Sequence, residues 1–316
     1  MSRYQKGFSL LELMISLTIG LVLLAGVLSV FVGMKTTNSQ TSSQGALQEN
    51  GRFALTVLTD DLLREGFWGD MSDQLNTSAL TAIPALAGQD CVGGGLNNAT
   101  FPVAVGHFRS LWSATAVNAN AMGCINNAKL DSDVLQIKRV LSRPIVGNTD
   151  NTQYFLNSNT SSGALFVGVG GGVPPAINNG QIWQYQHHVY YVRDEVQGAT
   201  TVPVLMQGVL SVTKGMRFAS LIEGVEMVRY LFGVDTTGDG AVNAYIPTNM
   251  MTSPMWDKSG NNNILSIKIF VLVRNILPDN SYSNTKTYQV GDFVFVANDN
   301  YRRLLLTTTV SSYNAR

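Results

Sequence analysis

Apolar residues run almost without a break from residue 8 to residue 34, and Glu12 is the one charge among them. At 1.5 Å per residue a helix of that length reaches roughly 40 Å, more than the ~30 Å hydrocarbon core of a bilayer. The pattern then changes. K-T-T-N-S-Q-T-S-S-Q-G (35–45) is polar and weakly helical, and from residue 46 a 3.6-residue period resumes. Leu47, Ala54, Leu58 and Leu62 fall on one side, flanked by Phe53, Leu55 and Val57. Glu49, Arg52, Thr56 and Asp60 fall on the other. The spacing predicts a membrane-spanning helix over 8–34 and an amphipathic continuation over 35–66, packed on a carboxy-terminal head and stopping at Gly66.

Beyond Gly69 the period shortens to two. In 265–274, Leu265, Ile267, Ile269, Val271 and Val273 alternate with Ser266, Lys268 and Arg274, the mark of a half-buried strand. Further strands are expected at 133–140, 164–169, 182–192, 226–232, 293–297 and 302–310, separated by Gly, Asn and Pro clusters. Residues 71–128 are poor in charge and rich in Ala, Asn and Gly, and read as a long loop region. A long amino-terminal helix followed by an antiparallel sheet (67–316) is an α+β arrangement.

Charge separates function classes. Lys plus Arg equals Asp plus Glu at 21 each, and charged residues make up only 13% of the 316. A neutral chain without basic clusters lacks the electrostatic footprint of a nucleic-acid binder, so no nucleic acid is expected. Arg3 and Lys6 precede the apolar run without a nearby acid, which keeps the amino end cytoplasmic and exports the rest. The small residue, Gly7, stands before the apolar stretch, an order that does not suit ordinary signal peptidase. In an exported head, Cys91 and Cys124 form one disulfide, closing a loop worth roughly 3–4 kcal/mol; the alternative is two unpaired buried thiols.

K-G-F-S-L-L-E-L-M-I-S-L-T-I-G (6–20) resembles the prepilin signature of type IV pilins and type II secretion pseudopilins. The resemblance implies a leader (1–7) cleaved between Gly7 and Phe8 by prepilin peptidase, and N-methylation of Phe8. It also makes Glu12 the family's assembly glutamate. Physical chemistry gives Glu12 that role independently. A carboxylate in a lipid-facing helix costs a few kcal/mol unless it has a partner, and the amine of a neighbouring Phe8 would neutralise it. The other reading is a carboxylate that snorkels to water near the interface.

Three more segments resemble PilW-type minor pilins: R-F-A-L-T-V-L-T-D-D-L-L-R-E-G-F-W-G (52–69), L-I-E-G-V-E-M-V-R-Y-L-F-G-V-D (221–235) and R-R-L-L-L-T-T-T-V (302–310). They imply a minor pilin that primes type IV pilus assembly near the filament tip. Its implied partners are other minor pilins, the major pilin, a tip adhesin, prepilin peptidase and the inner-membrane assembly platform. Its implied place is the inner membrane with a periplasmic head, then the filament. A type II secretion minor pseudopilin shares the amino-terminal features, and a pilus-borne adhesin or DNA-binding module is a further alternative.

Remaining candidates for chemistry are few. Asp235, Thr237, Asp239 and Asn243 match the first, third, fifth and ninth places of a calcium loop, with Gly240 at the sharp turn. The twelfth place is Ile246 rather than Glu, and a plain Asp/Gly turn accounts for the same residues. His187 and His188 in a strand face opposite sides and cannot readily share a metal. G-V-G-G-G-V lacks the Lys of a phosphate loop, and no nucleophile-elbow or zinc-protease motif appears. Calcium is thus the one cofactor in view, and a structural and interaction protein is expected rather than an enzyme.

Overall fold

A computed structural model describes residues 7, 9–72, 75–198 and 200–312. The leader through Lys6, and Phe8, lie outside the described residues. The chain divides into two units, Met1–Ala46 and Leu47–Arg316.

The first unit is the apolar part of one helix, α1 (Leu10–Leu62). Every side chain from Leu10 to Met34 is exposed, an apolar surface that only lipid or other helices can cover. Its hydroxyls are turned inward: Ser16 Oγ donates to Glu12 O (2.7 Å), Thr18 to Ile15 O (2.8 Å) and Ser29 to Gly26 O (2.9 Å). Each such bond removes a donor that hydrocarbon could not satisfy. The polar stretch 35–45 continues the same helix, with Thr37 and Thr41 bonding back one turn in the same manner.

The second unit is the head. Its strands in chain order are β1 (Leu80–Ala82), β2 (Leu111–Thr115), β3 (Asp133–Ile145), β4 (Tyr154–Ser158), β5 (Gly163–Val167), β6 (Gln181–Gln197) and β7 (Thr200–Ser211). Next come β8 (Gly215–Glu223), β9 (Val225–Asp235), β10 (Ala244–Pro247), a one-turn helix α2 (Ser253–Trp256), β11 (Asn263–Arg274), β12 (Thr287–Val290), β13 (Phe293–Val296) and β14 (Arg303–Ser311). An eight-stranded sheet runs β1-β5-β4-β6-β3-β2, with β7 also paired to β6 and β8 to β7. A second sheet has the order β10-β9-β11-β14, and β12 and β13 form a separate hairpin. Pairing is antiparallel except for β1 with β5. The α+β expectation holds.

The amphipathic stripe does what its spacing predicts. Leu47, Ala54, Leu58 and Leu62 are buried against β9 and β11 on one side and β3, β6 and β7 on the other. Burying each Leu contributes about 1.5–3 kcal/mol. Gly51 lets α1 come close to β14, since a Cβ there would overlap Leu306. The helix ends at Leu62, and after one irregular turn Gly66, with φ +66°, donates its N–H to Lys138 O (3.2 Å).

Two expectations need correction. Residues 71–128 are more than a loop: β1 and β2 lie within them, and Leu75, Phe101, Phe108 and Leu111 are core side chains. In β11, Leu265 does not join the inward row. A bulge between Ile264 and Ser266 opposite β9 shifts the phase, so Ile264 and Ser266 are buried while Leu265 is half-exposed. The strands β4, β7, β8, β10 and β12 were not expected from the sequence pattern.

Candidate functional site

The amino end of α1 carries the most distinctive chemistry. Ser9 N–H donates to Glu12 Oε2 (2.9 Å), and Glu12 N–H donates to Ser9 Oγ (3.3 Å). This reciprocal pair is a capping box, satisfying two of the donors that a helix leaves open at its start. The S-x-x-E spacing was legible in the sequence but overshadowed by the charge of Glu12. Gly7 is exposed just before it, while Phe8, the other residue of the expected cleavage pair, is outside the described positions.

A second constellation ties α1 to the eight-stranded sheet. Asp61 lies seven residues after Ala54 and so on the buried stripe, where it is 3% exposed. Arg139 Nε of β3 donates to Asp61 Oδ1 (2.6 Å), His188 Nδ1 of β6 lies 2.7 Å from Oδ2, and the Tyr190 hydroxyl donates to Oδ2 (2.9 Å). Gln207 Nε2 of β7 donates in turn to the Tyr190 hydroxyl (2.8 Å). Burial alone would raise the Asp61 pKa. The His188 hydrogen bond and charge, joined by Arg139, outweigh it and hold the carboxyl down at about 2. One turn on, Glu65 accepts from Ser110 (2.9 Å) and Ser312 (2.6 Å). Sequence reasoning missed this cluster because its members come from residues 61, 139, 188, 190 and 207. The usable signal was a carboxylate at a core position of the stripe.

The histidines face opposite ways, as their adjacency in a strand requires. His188 points at Asp61, whereas His187 is fully buried on the other face, with Nδ1 2.9 Å from Thr100 Oγ1 and Nε2 2.8 Å from Gln136 Nε2. Burial pushes the His187 pKa well down, with the nearby Lys138 adding to the effect. Cys91 and Cys124 form a disulfide, with Cα atoms 5.0 Å apart. Cys91 O accepts from Gln136 Nε2 (3.1 Å), which fastens the bridged segment to β3. Lys138 of β3 is buried among the same residues, donating to Asn98 Oδ1 (2.8 Å) and Arg109 O (3.0 Å). These polar groups hold the segment 90–109 on the sheet.

Two family models match the chain. Residues 2–28 match the prokaryotic N-terminal methylation motif, and residues 189–314 match the type IV pilus-assembly protein W family, PilW. Together these two matches support a PilW-type minor pilin of the type IV pilus. Neither a curated protein nor a solved structure matches it. The PilW match takes in the end of β6, then β7 and β8 and the whole second sheet. It leaves out the disulfide-bridged segment. Pilin families are structural, and this pilin is anchored by an apolar helix with a separate head. Its work is contact with other pilins and the assembly machinery.

The pilin's Asp235 turn is closed by its own donors. Asp235 Oδ1 accepts from Thr237 N–H (2.9 Å) and Gly238 N–H (2.7 Å), and Oδ2 from Gly240 N–H (2.8 Å). Asn243 Oδ1 accepts from Thr236 N–H (2.7 Å), and Asp239 Oδ1 from Ala241 N–H (2.9 Å). Among the described residues no three His, Cys, Asp or Glu converge as a metal group. A cation at Asp235 would have to displace these donors.

Both geometries are open to test. Asp61 is depressed below its ordinary value of 3.8, so its contribution is full above about pH 4 and is lost as pH falls through about 2. That is worth about 2 kcal/mol. Urea unfolding of the detergent-solubilised pilin should therefore lose about 2 kcal/mol more between pH 5 and pH 2 in wild type than in Asp61→Asn. For the turn, Asp235→Ala should lower the melting temperature equally in calcium and in chelator. A calcium-dependent rise in wild type that disappears in Asp239→Ala would instead assign the loop to calcium.

Proposed function

We propose that this minor pilin primes pilus assembly near the filament tip, waiting in the inner membrane with its head in the periplasm. Prepilin peptidase would cut between Gly7 and Phe8 and the new amine would be methylated. Glu12 would then pair with the amine of an adjacent subunit. The observation that carries this reading is Glu12 itself: the one charge between Leu10 and Met34, a stretch whose side chains are all exposed, held among the described residues only by its own cap. A capping box needs no charge, since Gln serves in it as well as Glu. A charged residue in that place is accounted for by a cationic partner on an adjacent subunit. The match of residues 189–314 to the PilW family favours the pilus over a secretion pseudopilus. The direct neighbours would be other minor pilins and the major pilin, with a tip adhesin beyond and the assembly platform below.

The test separates charge from capping. Glu12→Ala removes both, while Glu12→Gln keeps the cap and removes the charge. Membrane abundance should be equal for wild type and both variants, because each change makes the helix no more polar. In sheared filaments Glu12→Ala should fall a hundredfold or more. An unpaired amine in a packed bundle costs roughly 3–5 kcal/mol, and about 1.4 kcal/mol is a factor of ten. Glu12→Gln should be intermediate. Equal incorporation of all three would mean that helix packing alone recruits the pilin. In the same filaments the amino-terminal peptide should begin with N-methyl-Phe8; an intact leader there would refute the processing step.

A further inference from the structure

The outer edge of β14 is open. Ser312 N–H donates to Leu265 O and Asn275 N–H to Arg302 O, which fixes the alternation of the β11–β14 ladder. Residues 304, 306, 308 and 310 therefore turn their backbone groups toward β11. Leu305, Thr307 and Thr309 turn theirs away, and among the described residues none of these N–H or C=O groups has a partner. Other outer strands are protected. β1 and β2 have three and five residues, β12 and β13 have four each, and β10 has four and ends in Pro247. β8 carries Arg217 and Glu223, and its last carbonyl already accepts from Asn50 of α1 (3.1 Å). β14 has nine residues, R-L-L-L-T-T-T-V-S, with neither proline nor bulge and a charge only at its first position. Long, regular, uncharged edges of this kind are what strand addition uses and what soluble monomers avoid.

Beside this edge lies a groove of about 430 Å³, lined by Leu55, Thr56 and Thr59 of α1, by Leu63 just after it and by Thr308 of β14, with Arg52 and Asp60 of α1 also on its wall. Thr308 projects on the same face of the sheet as Leu304 and Leu306, the face that α1 covers. A strand laid along β14 would continue the sheet beneath the rim of α1, and every second side chain would enter the groove. We propose that β14 is a strand-acceptor site, filled in the filament by an extended segment of a different pilin's head. The segment has about five residues, with small or apolar side chains at alternate positions toward α1 and no proline where its N–H must pair. This rests on the minor-pilin reading only for the source of the strand.

A second copy of this chain does not fit. Antiparallel pairing of β14 with itself needs a two-fold axis normal to the sheet. That axis would reverse residues 47–62 of α1, which run along β14 from Gly51 beside Leu306 to Thr59 beside Thr308, with Glu65 beyond them bonded to Ser312. A pair closed by such a two-fold is isologous, whereas subunits along a filament meet head to tail. Parallel self-pairing about an axis along the strand sets Thr307 against Thr307, a register without parallel hydrogen bonds.

Thr307→Pro tests the edge directly, because it deletes an outward N–H and spares the ladder to β11. Expressed as the full chain in pilus-forming cells, it should keep its disulfide and melting temperature and lose about tenfold or more in sheared filaments. Thr56→Trp, which fills the groove from the exposed side of α1, should show the same loss and decides the matter if the proline variant fails to fold. A photo-crosslinking amino acid at Thr307 should give an adduct whose second component is identified by mass spectrometry as another pilin. Wild-type incorporation of both variants, or an adduct with a second copy of this chain, would overturn the proposal. Absence of the wild-type chain from filaments would overturn the pilin reading instead.

Discussion

The carboxylate of Asp61 fixes where α1 sits on the head. A stripe of Leu and Ala is nearly indifferent to a shift of one turn, because one apolar contact replaces another. Asp61 is not indifferent. Its two oxygens meet Arg139, His188 and Tyr190, which arrive from β3 and β6 at the level of the helix end. Sliding the helix by one turn would leave the carboxylate and Arg139 buried apart, and breaking such a pair costs about 3–5 kcal/mol. The ion cluster thus supplies register, and the apolar stripe supplies most of the stabilisation. Everything assembled around that register inherits it, including Gly66 bonding to Lys138 and the approach of Gly51 to Leu306.

What could be read in the sequence divides along the line between local and non-local physics. The helix was legible because 3.6-residue periodicity persists through Leu47, Ala54, Leu58 and Leu62. Strands β9, β11 and β14 were legible because alternation survives in them. β7 was hidden by Pro203 and Gly208, which read as breakers. The strand keeps Gly208 because a Cβ there would strike the Phe218 ring of β8. β3 misleads in the other direction, since Gln136, Lys138 and Arg139 look like a solvent face yet are buried among polar partners on both sides of the sheet. Leu265 went wrong because a bulge is set by the partner strand and leaves no mark in its own. Of the candidate functional residues, Gly7, Phe8 and Glu12 form one short motif and could be named at once. The Asp61 cluster spans residues 61 to 207, so only the fold brings it together.

Residues 71–128 show how a segment without periodicity can still be ordered. The disulfide between Cys91 and Cys124 restricts the unfolded chain, and side chains such as Gln136 and Lys138 then satisfy backbone and amide groups that no strand partner reaches. This segment lies outside the part that matches the PilW family. The matched part takes in the second sheet with β7 and β8, while the bridged segment is built on the face of β3 and β6 that carries His187 and Gln136.

The pilin has two incomplete surfaces, and they are satisfied by different solvents before assembly. Lipid covers the apolar residues of α1 from Leu10 to Met34 as well as another helix would, so packing in a filament gains little hydrophobic free energy there. Water covers the edge groups of Leu305, Thr307 and Thr309, and exchanging it for a strand yields only about 0.5–1.5 kcal/mol per hydrogen bond. Neither exchange alone makes a committed subunit. Their chemistry would make them selective in different ways: Glu12 would accept a cationic group at one axial level, and the β14 edge would accept an extended backbone in one register. A neighbour that meets one condition and not the other gains a small and reversible attachment. Only a subunit that meets both at once adds the two contributions, since the second contact forms at the high effective concentration set by the first.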